Sequence, residues 1–241
     1  VTGAALTADA DLTIDASVLA TDAAGNSATA TDSETYTVDT TAPSVTVDIV
    51  DAALNVADTS SNVTFTFSEA PVGFVVGDVT VSGGTLSAFT ATADPLVYTA
   101  TFTATAGFEG SGSVSVGAGS YTDAAGNPGG AGGDTVAIDT AAPTPSITLA
   151  ANITADDIID ASEAGGPVAV TGTTTGARDG DVVTLTVNGT AFTGTVSGGA
   201  FSINVTGAAL AADADLTIDA SVLATDAAGN SATATDSETY T

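Results

Sequence analysis

Acidic side chains recur at fixed places in this sequence, with almost no positive charge beside them. The pentapeptide Asp-Ala-Ala-Gly-Asn stands at Asp22–Asn26, Asp123–Asn127 and Asp226–Asn230, and Asp39 and Asp139 each open an Asp-Thr-x-Ala-Pro segment. Asp9, Asp11, Asp58, Glu69, Glu109, Asp179 and Asp181 lie among turn-forming residues, as do Asp156, Asp157, Asp160 and Glu163 in one short run. Calcium takes six to eight oxygen ligands from such carboxylates, Asn side chains and carbonyls, and loops supply them at flexible spacing. Acid–base or nucleophilic catalysis finds little here. Without His, Cys or Lys only carboxylate pairs remain, so the sequence is not that of an enzyme.

The plainer reading is that Asp and Asn are ordinary turn residues and that the acidic surface keeps the chain soluble. Charge weighs against it for the clusters as sets. Carboxylates that converge with no Lys or Arg to pair them cost energy unless a cation intervenes. Arg178 is the one positive residue against 29 acidic ones, giving a formal charge of −28, and is expected to make a local salt bridge. The same imbalance excludes nucleic acid, whose phosphates need clustered Lys and Arg. It also opposes an anionic membrane surface. No apolar run approaches the roughly 20 residues that span a bilayer, so no membrane insertion is expected.

The elements that must position these residues are strands. Apolar residues make up 44% of the chain and are mostly Ala, Val, Ile and Leu, with abundant Thr. Leu216, Ile218, Ala220, Val222 and Ala224 alternate with more polar neighbours, as do Val63, Phe65 and Phe67, which is the period of a half-buried strand. Seven short strands are expected between Ser146 and Tyr240, with Asn188-Gly189 as a two-residue hairpin turn. No helical period is evident. The fold class is all-β, with tandem immunoglobulin-like β-sandwich domains in an extended array.

A long repeat organises the array. Val1–Thr37 returns 204 positions later as Val205–Thr241, with Thr7 replaced by Ala211. The Asp39 and Asp139 linkers, 100 residues apart, set a shorter period. The expected organisation is the C-terminal part of one domain at 1–39, a full domain at 40–139 and another at 140–241. Alternating strand direction puts the leading linker, the second-to-third loop and the Asp-Ala-Ala-Gly-Asn loop at one pole. A first junction then gathers Asp9 and Asp11 from below, Asp39 from the linker, and Glu69, Asp123 and Asn127 from above. A second gathers Asp58 and Glu109, Asp139, and Asp179, Asp181, Asp226 and Asn230. The run Asp156, Asp157, Asp160, Glu163 sits at the far pole.

The Val-Asp-Thr-Thr-Ala-Pro-Ser linker, SNVTFTFSEAPVGF, TDAAGN and DDIIDASEAGGPVAVTGT with GDVVTLTVNG resemble the bacterial immunoglobulin-like extender repeats of giant biofilm-associated, type I secreted (RTX) adhesins. That resemblance implies export, an extended fibre on the extracellular face of a bacterial cell, and Ca2+ at domain junctions. Adhesion itself would be carried by other domains. The partners implied are neighbouring repeats of the same chain. An alternative is a self-assembling extracellular filament or matrix protein, in which copies of the chain also meet laterally. A carbohydrate-binding module fits less well, because no Trp is present to form a sugar platform.

Overall fold

The computed structural model describes residues 1–241, all but the side chain of Ala91. A one-turn helix α1 (Gly3–Thr7) leads into a hairpin of β1 (Thr13–Thr21) and β2 (Ser27–Thr35). Then follow β3 (Val45–Ile49), β4 (Ala53–Asn55), β5 (Ser60–Phe67), β6 (Val79–Ser82), β7 (Gly84–Leu86), β8 (Thr90–Ala91), β9 (Val97–Ala104), β10 (Glu109–Val116) and β11 (Gly132–Asp139). The last group is β12 (Ser146–Leu149), β13 (Pro167–Thr175), β14 (Val182–Val187), β15 (Thr190–Thr195), β16 (Ala200–Thr206), helix α2 (Gly207–Ala211), β17 (Thr217–Thr225) and β18 (Ser231–Thr239). None of the helices is long and apolar enough to cross a membrane.

Two sandwiches result, each with its own core. In the middle one, the sheet β4-β11-β10-β6 faces the sheet β3-β5-β9-β7. In the C-terminal one, β12-β13-β16 faces β15-β14-β17-β18. Strand alternation creates the cores directly. Val63, Phe65 and Phe67 of β5 are buried while their neighbours are not, and Ile218, Ala220 and Val222 do the same in β17. The middle core is aromatic: Phe67 meets Tyr121 edge-on with ring centroids 5.0 Å apart, and Phe74 stacks on Phe89 at 4.8 Å. The C-terminal core is built mainly from Val, Leu and Ile, among them Val170, Leu185, Val205 and Leu210.

The short helices are the one element type that the period analysis lacked. Five residues are too few to display a 3.6-residue pattern. They form because Thr2 and Thr206 accept a hydrogen bond from the amides of Ala5 and Ala209 and so cap the turn. Each helix sets up a tyrosine anchor. The Tyr240 hydroxyl donates to the Leu210 carbonyl at 2.8 Å and to Asp213 Oδ2 at 3.0 Å, and Tyr36 does the same to Leu6 and Asp9 at 2.9 and 2.8 Å. Just before β1 and β17, Leu12 and Leu216 both adopt φ of +52°, an uncommon conformation for a branched side chain. Each of these leucine carbonyls accepts the amide of its tyrosine at 3.0 Å, which holds the bend in place.

The near-identical segments fold alike but are buried differently. Hairpin β1–β2 has the same strand register as β17–β18. Ile14 is 44% exposed, whereas Ile218, its counterpart, is fully buried against the facing sheet. Ile218→Ala should therefore cost about 2–5 kcal/mol of stability, the range for large-to-small changes in a packed core. Within residues 1–241, where no sheet faces the β1–β2 hairpin, Ile14→Ala should cost under about 0.5 kcal/mol. Denaturant melts of the two variants of the full chain check this; equal losses would mean that Ile14 is buried in solution.

Candidate metal centre at the domain junction

The pentapeptide loops form a clamp in all three places. Asp123 Oδ1 accepts the Asn127 backbone amide at 2.8 Å, and its Oδ2 accepts the Asn127 side-chain amide at 2.8 Å. Asp226 holds Asn230 by the same two bonds, both 2.9 Å, and Asp22 holds Asn26 likewise. The glycine between them has φ of +92° at Gly126 and +85° at Gly229, a conformation that explains its presence before the Asn. Having closed its own loop, the Asn amide reaches the linker. Asn127 Nδ2 donates to the Asp39 carbonyl at 3.1 Å, and Asn230 Nδ2 to the Asp139 carbonyl at 2.9 Å.

At the first junction this clamp sets three carboxylates together. Asp39, Glu69 and Asp123 each offer an oxygen within 4.8 Å of the others. Asp39 is exposed, Glu69 half-buried and Asp123 buried. Glu69 follows the end of β5, which brings it beside the linker. Burial acts to raise the Asp123 carboxyl, but the Asn127 side chain and the loop amides outweigh it, and the net direction is below the ordinary 3.8. The carboxylate is thus charged in the position where it meets two others. Hard oxygen donors of this kind, with further carbonyls and water within a loop's reach, suit calcium rather than a transition metal.

The remaining expected ligands are placed as follows. Asp9 Oδ2 accepts the Tyr36 hydroxyl, and Asp11 Oδ1 accepts the Thr13 amide at 3.3 Å. Neither belongs to the group of three among the described residues. At the second junction Glu109 lies directly opposite Asp139 across β10 and β11, and Asp226 and Asn230 sit above them. Asp179 Oδ1 accepts the Gly198 amide and Asp181 Oδ2 the Arg178 amide, both at 2.7 Å. Asp58 closes a turn with Asn55, bonding through its own backbone amide and carbonyl. Asp157 Oδ1 accepts the Ile153 amide, Asp160 Oδ1 the amides of Ser162 and Glu163, Asp156 Oδ1 the Ile158 amide, and Glu163 Oε2 the Asp160 amide. These four carboxylates shape the loop between β12 and β13. Sequence reasoning missed Asn55 and Val56, which bond across the second junction; a single Asn at the end of β4, three residues before Asp58, was the available signal.

The fold has counterparts among solved structures. Residues 39–140 match the bacterial Ig-like domain family. A solved structure of a Ca2+-stabilised adhesin that helps an Antarctic bacterium reach out and bind ice is 37% identical with a TM-score of 0.66, and the match covers all of this chain and 58% of that one. A second, from a 1.5-MDa bacterial ice-binding adhesin, is 36% identical with a TM-score of 0.60 over all of this chain and 77% of that one. A comparison with curated proteins returns no match. Two β-sandwiches, antiparallel except for the β4–β11 pair and joined by a short linker that opens on Asp139, define an immunoglobulin-like tandem array. The chain belongs to the bacterial immunoglobulin-like domains of large adhesins, and it spans little more than half the length of the first of these relatives.

The lowered carboxyls give a pH dependence with a definite sign. A group whose folded pKa lies below its unfolded value stabilises the fold above that unfolded value, and the contribution is lost as pH falls through the lowered one. Asp123 and Asp226 are both of this kind. The side-chain amide resonances of Asn127 and Asn230 should therefore stay constant near neutrality and move only as pH falls below 3.8. A midpoint at or above 3.8 would show that the carboxyls are not held low.

Proposed function

We propose that this chain is part of the spacer region of a large bacterial surface adhesin, exported and displayed outside the cell, and that calcium stiffens it at the first junction. Asp39, Glu69 and Asp123 would hold the ion, with Asn127 fixing the linker carbonyl beside it. The observation that carries this reading is the convergence of the three carboxylates within 4.8 Å. The calcium stabilisation of the related adhesin supports it. Each sandwich with its own core would act as an independent domain, with boundaries at 1–39, 40–139 and 140–241. No step of chemistry is required of it. The work is to hold a distal binding domain away from the cell.

The mechanism runs from charge to mechanics. Three carboxylates a few ångströms apart repel strongly, and salt screens poorly at a range below the Debye length. A divalent cation makes the interaction attractive and ties Asp39 of the linker to Glu69 and Asp123 of the sandwich above. The angle between neighbours is then fixed. Without the ion, repulsion and linker entropy favour many angles. Asp9 and Asp11 lie on the neighbouring element and would reach the ion through water.

Small-angle X-ray scattering with calcium and with a chelator, at constant ionic strength, tests the reading. Calcium should lengthen the maximum dimension and remove flexibility. Glu69→Gln should weaken terbium binding, followed by luminescence, at least about tenfold, because one of three charged ligands is lost. Unchanged scattering curves would leave the loops as solvated turns. Growth of mass with concentration would instead favour the lateral filament.

A further inference from the structure

The two junctions are built from equivalent loops but carry opposite charge in one of them. Continuing the β3–β5 ladder two residues past Val45↔Phe67 sets Pro43 opposite Glu69. Arg178 lies in the loop that follows β13, the strand paired with the linker-proximal strand β12 as β5 is paired with β3. Pro43 and Pro143 occupy the same place in the two Asp-Thr-x-Ala-Pro linkers, so Arg178 lies in the loop that corresponds to the one holding Glu69. The sole positive side chain of the chain thus belongs to the loop that supplies one of the three converging carboxylates at the first junction. A guanidinium beside a cation site repels the ion it would hold.

Two further observations point the same way. At the second junction the Asn230 side-chain oxygen accepts the Val56 amide at 2.7 Å, and Asn55 Nδ2 donates to the Ala228 carbonyl at 2.9 Å. Both bonds run from the middle sandwich to the one above. The fixed positive charge of Arg178 acts on Asp226, adding to the loop bonds that hold that carboxyl low.

We propose that the second junction holds its angle without a divalent cation: Arg178 supplies the positive charge, and the bonds from Asn55 and Val56 to the 226–230 loop supply the directed links. One junction in each 204-residue unit would then respond to calcium and the other would not. The contrast rests on the calcium reading of the first junction, while the behaviour of the second stands by itself. Arg178 is a positioning residue for the interface.

The chain lacks cysteine, so spin labels can be placed at will. In the full chain, the exposed pair Ser17→Cys and Thr85→Cys spans the first junction, and Thr85→Cys with Thr193→Cys spans the second. Double electron–electron resonance would read each distance distribution with calcium and with a chelator. The second-junction distribution should be equally narrow in both. Arg178→Glu, which sets a carboxylate in that loop, should broaden it severalfold in chelator and let calcium narrow it again. Arg178→Gln should broaden it without rescue by calcium. A wild-type second junction that broadens on chelation overturns the inference, as does an Arg178→Glu junction that stays narrow in chelator. A first junction that ignores chelation would instead remove the calcium reading and leave this one standing. Near-ultraviolet circular dichroism confirms that each variant keeps its folded cores.

Discussion

One side-chain amide ties each sandwich to the linker that enters it. Asn127 and Asn230 each close their own loop on an Asp and, with the second hydrogen of the same nitrogen, reach the carbonyl of Asp39 or Asp139. Everything at the junctions depends on this double use. The loop bond fixes the Asp carboxylate, the linker bond fixes the Asp that precedes the proline, and the two acids are brought to the same pole. A residue with a single side-chain donor keeps at most one of these ties, and one with none loses both.

From that tie follows the electrostatic character of the molecule. The formal charge of −28 is spread over loops at the sandwich ends and over the outer faces of strands. Most carboxylates near the poles accept backbone amides of their own turn, which lets them stay charged at little cost. Asp39, Glu69 and Asp123 differ because they belong to separate segments that the fold forces together. The difference between a solvated turn and a site lies in that convergence.

Much of this was legible in the chain itself. Ile218 and Val222 announce their burial by alternation, and Asn188-Gly189 marks a hairpin, with Asn188 at φ +47° and Gly189 at φ +73°. The polar arrangement of loops follows from strand counting, which placed Glu69 and Asp123 beside Asp39. What the residues could not disclose was the partner of each acid. Asp9 carries the same letters as any loop aspartate, yet it belongs to a tyrosine anchor set by a helix too short to leave a period. Nor does composition show that Arg178 and Glu69 lie in corresponding loops, since this depends on which strands pair beside the linkers.

The near-identity of residues 1–37 and 205–241 also bears on how such a chain avoids tangling as it forms. Arrays of like domains misfold when a strand from one copy pairs into its neighbour, a failure favoured by similarity and closeness. Here the two interchangeable hairpins are separated by a sandwich whose core is aromatic where theirs is aliphatic, so the nearest neighbour offers the wrong jigsaw. The intervening length adds only a modest loop-closure cost, because that cost grows slowly with distance. The dissimilar middle sandwich does the greater part of the separation. An unlike sandwich placed between two like hairpins thus disfavours their mispairing.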